Sequence, residues 1–257
     1  MTKKKKKDAS LLFSGGLDST TTAILLGEKC SGKIHLLTML HGRGQLFPGL
    51  CLRHVNDIKK ILGKDRVEHH FISTKEIFRR VVLRSFLKDS KKYGWQVSCC
   101  LGCHLGFATA LTIYNLERGI PYMAIASCPH DAEACFNAQP AAIQGLQDLY
   151  SEYGILYSHP LIDLNMDKEQ ERKFLRKKSI WPGLRVSHRT LGVQPICILG
   201  FLLTWPDIFV EWHPHYDNES MREYIDSKKG IVHEYIAEHF RKSGQNLDEL
   251  IRKLKEQ

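Results

Sequence analysis

A chain of 257 residues with 43% hydrophobic and 25% charged content has the make-up of an ordinary globular protein, enough for one sizeable domain or a domain with an appendage. No apolar run has the length expected of a membrane span, and the chain starts on lysines and a strand rather than a leader peptide, which predicts a cytoplasmic protein. The net charge is +9; five of those charges sit on residues 3–7, and a basic stretch covers 168–178, so an RNA-sized polyanion is compatible as a partner.

In chain order, residues 9–13 read as a strand and 20–29 as a helix. Residues 34–40 form a continuous apolar run broken by His35, the pattern of a buried parallel strand. A loop at 41–44 follows, then a helix over 50–62 closed by Gly63. Residues 67–72 alternate as a third strand, and 74–93 read as one basic amphipathic helix closed by Gly94. After the cysteines at 99–103 come a helix from about residue 104 to 117, stopped by Gly119, and a fourth strand over 122–126. Residues 141–153 and 167–178 are helical, 179–216 lose regularity, and 220–257 read as two helices divided near Gly244.

Alternating strands and helices predict a doubly wound parallel α/β sheet with a helical and irregular C-terminal extension. The expected organisation is a basic tail at 1–8, a nucleotide-binding domain at 9–178, and an extension at 179–257. Ligands of such sheets sit beyond the carboxyl ends of the strands, where the first loop, His41 and the segment 127–131 converge.

The first loop is Ser14-Gly15-Gly16-Leu17-Asp18-Ser19. Two glycines let backbone amides turn inward, and a helix start adds unpaired N–H groups and a positive dipole end. Ser14 and Ser19 offer hydroxyls, and Asp18 offers a helix cap or a metal ligand. The turn is suited to phosphate, yet no Gly-Lys-Ser/Thr follows as in a Walker loop. The hexapeptide resembles the PP-loop of the ATP pyrophosphatases, which split ATP between the α and β phosphates. That resemblance implies ATP and Mg²⁺ as ligands, with Ser14, Gly15, Gly16, Asp18, Ser19, Leu40 and His41 around the nucleotide.

Eight cysteines in a chain read as cytoplasmic argue against a disulfide framework, and three of them cluster at 99, 100 and 103. Cys100-Leu101-Gly102-Cys103 has metal-ligand spacing and is expected at a helix start, where the dipole lowers thiol pKa values. Zinc, an iron–sulfur cluster and a redox disulfide all suit a bare C-x-x-C. Cys197, in an apolar stretch, reads by itself as a core residue.

A PP-loop, a C-x-x-C and a distant third cysteine together resemble the tRNA 2-thiolation enzymes, the two-thiocytidine and two-thiouridine synthetase group. The resemblance implies a four-iron four-sulfur cluster on Cys100, Cys103 and Cys197. It also implies an ATP-dependent, AMP-forming exchange of a nucleobase oxygen for sulfur, with tRNA and a sulfur donor as partners and a homodimer as a common assembly. The family's Gly-His-x-x-Asp-Asp is replaced here by residues 127–133, in which His130 and Asp131 are the nearest equivalents. Asp18 and Asp131 are then the catalytic acids, and Cys128 is a second candidate sulfur carrier. Two other readings stay open: a zinc-bearing PP-loop enzyme that forms amides or nitriles, and a nucleotide-binding protein without turnover. Trp181, Trp205 and Trp212 are read as anchors of the irregular region, and His213 and His215 as surface residues.

Overall fold

The computed structural model describes residues 7–127, 139–186, 189–191, 193–200 and 217–257. Its organising element is a parallel sheet of five strands: β1 (Ala9–Leu12), β2 (Ile34–Leu40), β4 (Val67–Ser73), β5 (Tyr122–Ala124) and β6 (Leu156–Ser158). The spatial order is β4-β2-β1-β5-β6, so the chain winds outward to one side and then to the other. The winding reverses between β1 and β5, the switch point at which doubly wound sheets open a crevice. Short strands lie outside this sheet: β3 (Gln45–Leu46) pairs antiparallel with β9 (Ile196–Cys197), and β7 (Leu184–Val186) pairs with β8 (Arg189–Leu191).

Two apolar cores flank the sheet. Helices α1 (Leu17–Lys29), α2 (Leu52–Leu62) and α8 (Lys168–Lys177) cover one face, where Leu11, Phe13, Leu36, Val55 and Leu175 pack together. The other face takes α3 (Lys75–Val81), α5 (Gly102–Arg118), α6 (Pro140–Glu152) and α9 (Asn218–Lys242) against Leu37, Met39 and Met123. Adjacent β2 residues thus serve opposite cores, and this is why the strand reads as an unbroken apolar run. The last helix, α10 (Leu247–Lys255), contributes Leu254 to the second core.

The doubly wound α/β sheet expected from the sequence is present. The span 74–93 differs, because α3 ends at Val81 and α4 (Phe86–Tyr93) starts after a tight turn. Ser85 donates to Asp89 at 2.6 Å, and Lys228 of α9 reaches both residues. Lys228 lies 143 and 139 positions from Ser85 and Asp89 along the chain, a partner invisible to helical periodicity. The strand β6 has only three residues, too few to show a period. A short α7 (Pro160–Asp163) follows it. Among the described residues, helix 97–118 is long and apolar enough to cross a membrane by composition, but most of it is buried within the second core.

Candidate active site at the carboxyl edge of the sheet

The hexapeptide leaves β1 and turns into α1, which begins at Leu17, three residues earlier than the sequence suggested. Gly15 has φ +79°, and a Cβ there would meet Val193 O at 2.6 Å and Cys51 Cα at 2.7 Å. Only glycine meets both requirements. A Cβ on Gly16 would lie 2.3 Å from Gln194 Oε1. Gly16 N–H donates to Ser14 Oγ at 3.2 Å, and Ser19 Oγ–H donates to Gly16 O at 3.3 Å. With the Ser19 proton so placed, the 3.1 Å contact between the two hydroxyls has Ser14 as its donor. No side chain caps α1, so its first N–H groups remain available to an anion.

Three residues without a motif signal hold this loop. His54 of α2 is buried; its Nδ1–H donates to Gly15 O at 2.7 Å, and Nε2 faces Trp181 O at 3.1 Å. Lys168 places Nζ 2.7 Å from both oxygens of Asp18. It is the first residue of α8, fixed there by an Asp167–Gln170 capping box. Gln194 closes over Gly16. Asp18 therefore caps nothing and instead pairs with a cation. The capping box was the one local clue that Lys168 opens a helix; nothing local pointed to its partner.

The cysteine motif lies inside a helix, not at its start. Residues 95–118 run on without a break, and Val97–Leu101 form a π-turn in which Gly102 N–H reaches back to Val97 O. Such turns are concentrated at functional sites. Tyr224 of α9 supports this one: its hydroxyl donates to Ser98 O at 3.0 Å and lies 2.4 Å from where a Gly102 Cβ would be. Because no helix start stands at Cys100, the expected lowering of thiol pKa values does not occur. Cys100 is pushed up by its hydrogen bond with Cys99 and by burial, Cys103 by burial and then Cys197, and Cys197 chiefly by burial. Cys99, the other half of that hydrogen bond, is lowered by it.

A thiolate at Cys197 would repel one at Cys100 or Cys103, and Cys99 adds to that repulsion. A bound cation reverses that balance and makes the thiolates favourable. Cys197 comes from β9, where it pairs with Gln45 of β3, and its sulfur accepts from Gly200 N–H at 3.3 Å. His41 Nδ1 accepts from Arg43 N–H, so the proton sits on Nε2, 3.6 Å from Cys197 Sγ. The ring lies 5.2 Å from Phe78 and 6.5 Å from Phe107, and burial lowers its pKa.

Leu40 closes β2, with its carbonyl accepting from Thr74 N–H at 2.9 Å. Cys128, His130 and Asp131 lie outside the described residues, as do Trp205, Trp212, His213 and His215. Cys30 and Cys51 pack with the first core, and Trp181 sits under Arg53 at 5.0 Å.

No family model matches the chain, and no curated protein matches it. Among solved structures it is similar to the U34-tRNA thiolase NcsA from Methanococcus maripaludis with its [4Fe-4S] cluster. The two are 13% identical, with a TM-score of 0.43, over 88% of this chain and 72% of that one.

Proposed function

We propose that the chain is an ATP-dependent sulfurtransferase that adenylates a nucleobase carbonyl in tRNA and replaces the oxygen with sulfur. One segment carries this reading. Val193 and Gln194 close on Gly15 and Gly16, and Cys197 three residues later is near enough to Cys100 and Cys103 for its charge to raise their pKa values. Three extended residues span about 10–11 Å, so a carbonyl activated at the loop stays within reach of the thiols.

A carbonyl oxygen leaves poorly until it carries AMP. The N–H groups of the Gly15–Gly16 turn and the first turn of α1 would receive the departing pyrophosphate, with Ser14 and Ser19 as hydroxyl donors. Asp18 would take Mg²⁺ once ATP draws Lys168 from it, and Lys168 would then neutralise phosphate charge. Leu40 and His41 border the adenosine side, and Asp131 is the second acid. Cys100, Cys103 and Cys197 would hold a four-iron four-sulfur cluster, which when bound supplies an iron free of protein ligands for incoming sulfur. His41, with its proton on Nε2, would donate to the Cys197 thiolate and fix its orientation. Cys128 is the alternative carrier of donor sulfur. The proposed partners are tRNA, a sulfide or persulfide donor and a second copy of the chain.

The test is anaerobic incubation of the full chain with ATP, Mg²⁺, tRNA and sulfide. AMP and pyrophosphate should appear in equal amounts with a thionucleoside in the RNA digest, and Asp18→Ala should abolish all three. Formation of ADP, or AMP release that requires ammonia instead of sulfide, contradicts the proposal; the second result fits a zinc-bearing amide former.

A further inference from the structure

The opposite end of the sheet carries a separate set of ligating side chains. His35 is the second residue of β2, and its register partner in β4 is Glu68. His70 stands two residues further along β4, so strand alternation puts it on the same face as Glu68. Since β4 is an edge strand, this face meets solvent at its rim. His35 Nδ1 lies 3.5 Å from Glu68 Oε2, and His70 Nε2 lies 3.6 Å from the same oxygen. All three ligand atoms fall within 4.8 Å of one another.

Hydrogen bonding does not explain the arrangement. Distances of 3.5 and 3.6 Å are long for an N–H···O bond. His70 Nε2 and His35 Nε2 are both buried without a hydrogen-bond partner, and His35 is only 4% exposed. A tetrahedral ion with bonds of 2.0–2.2 Å, however, separates its ligands by about 3.3–3.5 Å, close to what is found. The tautomer fits as well. Asp8 Oδ2, 3.6 Å from His35 Nε2, is too far for a hydrogen bond, but as a neighbour that can only accept it favours the proton on Nε2 and the lone pair on Nδ1. Tyr114 donates to that lone pair at 2.9 Å. An imidazole backed by a carboxylate is the usual support of a metal-bound histidine. Two cations are near: Lys33 holds Glu68 Oε1, leaving Oε2 to the site, and Arg118 lies over the Tyr114 ring at 4.5 Å.

The geometry points to a binding site for a zinc-class divalent ion on His35 Nδ1, Glu68 Oε2 and His70 Nε2, with the fourth position open to water. The ion would exchange with Tyr114 for the Nδ1 lone pair and clip the edge strand to β2. It needs neither the glycine loop nor the cysteines, so it stands or falls apart from the proposed function.

The probe is Co²⁺ titrated into the full chain, read by visible ligand-field absorption, with circular dichroism to check folding. Wild type should show a ligand-field band of nitrogen and oxygen ligation beside any thiolate charge-transfer absorption from the cysteines, and Cys100→Ala should keep that band. His70→Ala and Glu68→Gln, both at half-exposed side chains, should weaken binding by at least the roughly 10–100-fold that loss of an outer-shell partner costs. A band that survives both substitutions, one that vanishes in Cys100→Ala, or no saturable binding overturns the proposal.

Discussion

Gly15 and His54 show how the loop is held one residue at a time. Gly15 combines a left-handed backbone with an approach to Val193 O that leaves no room for a methyl group. Gly15→Ala should cost about 1–3 kcal/mol in backbone strain alone and weaken ATP binding, measured by thermal melts with and without nucleotide. Gly16→Ala should be milder, because its obstacle is the movable end of Gln194. Equal effects of the two substitutions would contradict this account. Buried histidines set the acid limit. Burial holds His69 and His159 at about 4, below the 6.5 of an exposed imidazole. Between those values the unfolded chain binds more protons than the folded one. Stability is therefore fully present above about pH 6.5 and drains away as pH falls toward 4. Neither ring nitrogen of His159 has a hydrogen-bond partner, and its ring meets Tyr157 edge-on at 4.4 Å. His159→Phe should flatten the fall, seen as a smaller loss of urea midpoint between pH 7 and pH 5 than in wild type; an unchanged loss would remove His159 from the account.

At the scale of elements, the π-turn under Cys100 depends on α9. Tyr224→Phe removes the donor to Ser98 O and should cost about 0.5–1.5 kcal/mol, with faster loss of metal from the thiols to a chelator. Gly102→Ala should do more damage, since its Cβ would meet both Tyr224 Oη and Val82 Cγ2. Metal retention unchanged in Tyr224→Phe would mean that α9 does not hold the cysteines in place. The same dependence explains what the sequence could and could not reveal. The strand, glycine turn and helix at the start were legible because their own signals, an apolar run, two glycines and a helix-forming stretch, lie within twenty residues of one another, although the groups that hold the loop come from further away. The break at residues 82–85 depends on Lys228, and the π-turn has Tyr224 behind it, both more than a hundred positions away. Periodicity has no access to such partners. β9, with two residues, gave Cys197 no recognisable setting. Only the combination of motifs marked it, and pairing with β3 supplies the physical reason.

Across the whole molecule, the two cores share the work. The first core carries α1 and the loop and binds α8, which presents Lys168 to Asp18; the second carries α5 and α9, which form and support the cysteine turn. Residues 193–197 run between the two sides, touching the glycines at one end and His41 at the other. His54 and Lys168 were legible only as a helical residue and a basic surface, because their partners come from other elements. The basic stretch 168–178 thus loses its first lysine to the loop, and Lys178 pairs with Glu28, which leaves a smaller surface for RNA than its charge suggested.

The proposed function places one iron–sulfur group on Cys100, Cys103 and Cys197, at the same carboxyl edge of the sheet as the glycine loop. The decisive measurement is iron and acid-labile sulfide in anaerobically purified wild type and Cys197→Ala. Wild type should carry four of each per chain, and Cys197→Ala should lose most of both while staying folded by circular dichroism. Stoichiometric zinc without sulfide in wild type, or an unchanged iron content in Cys197→Ala, would contradict it.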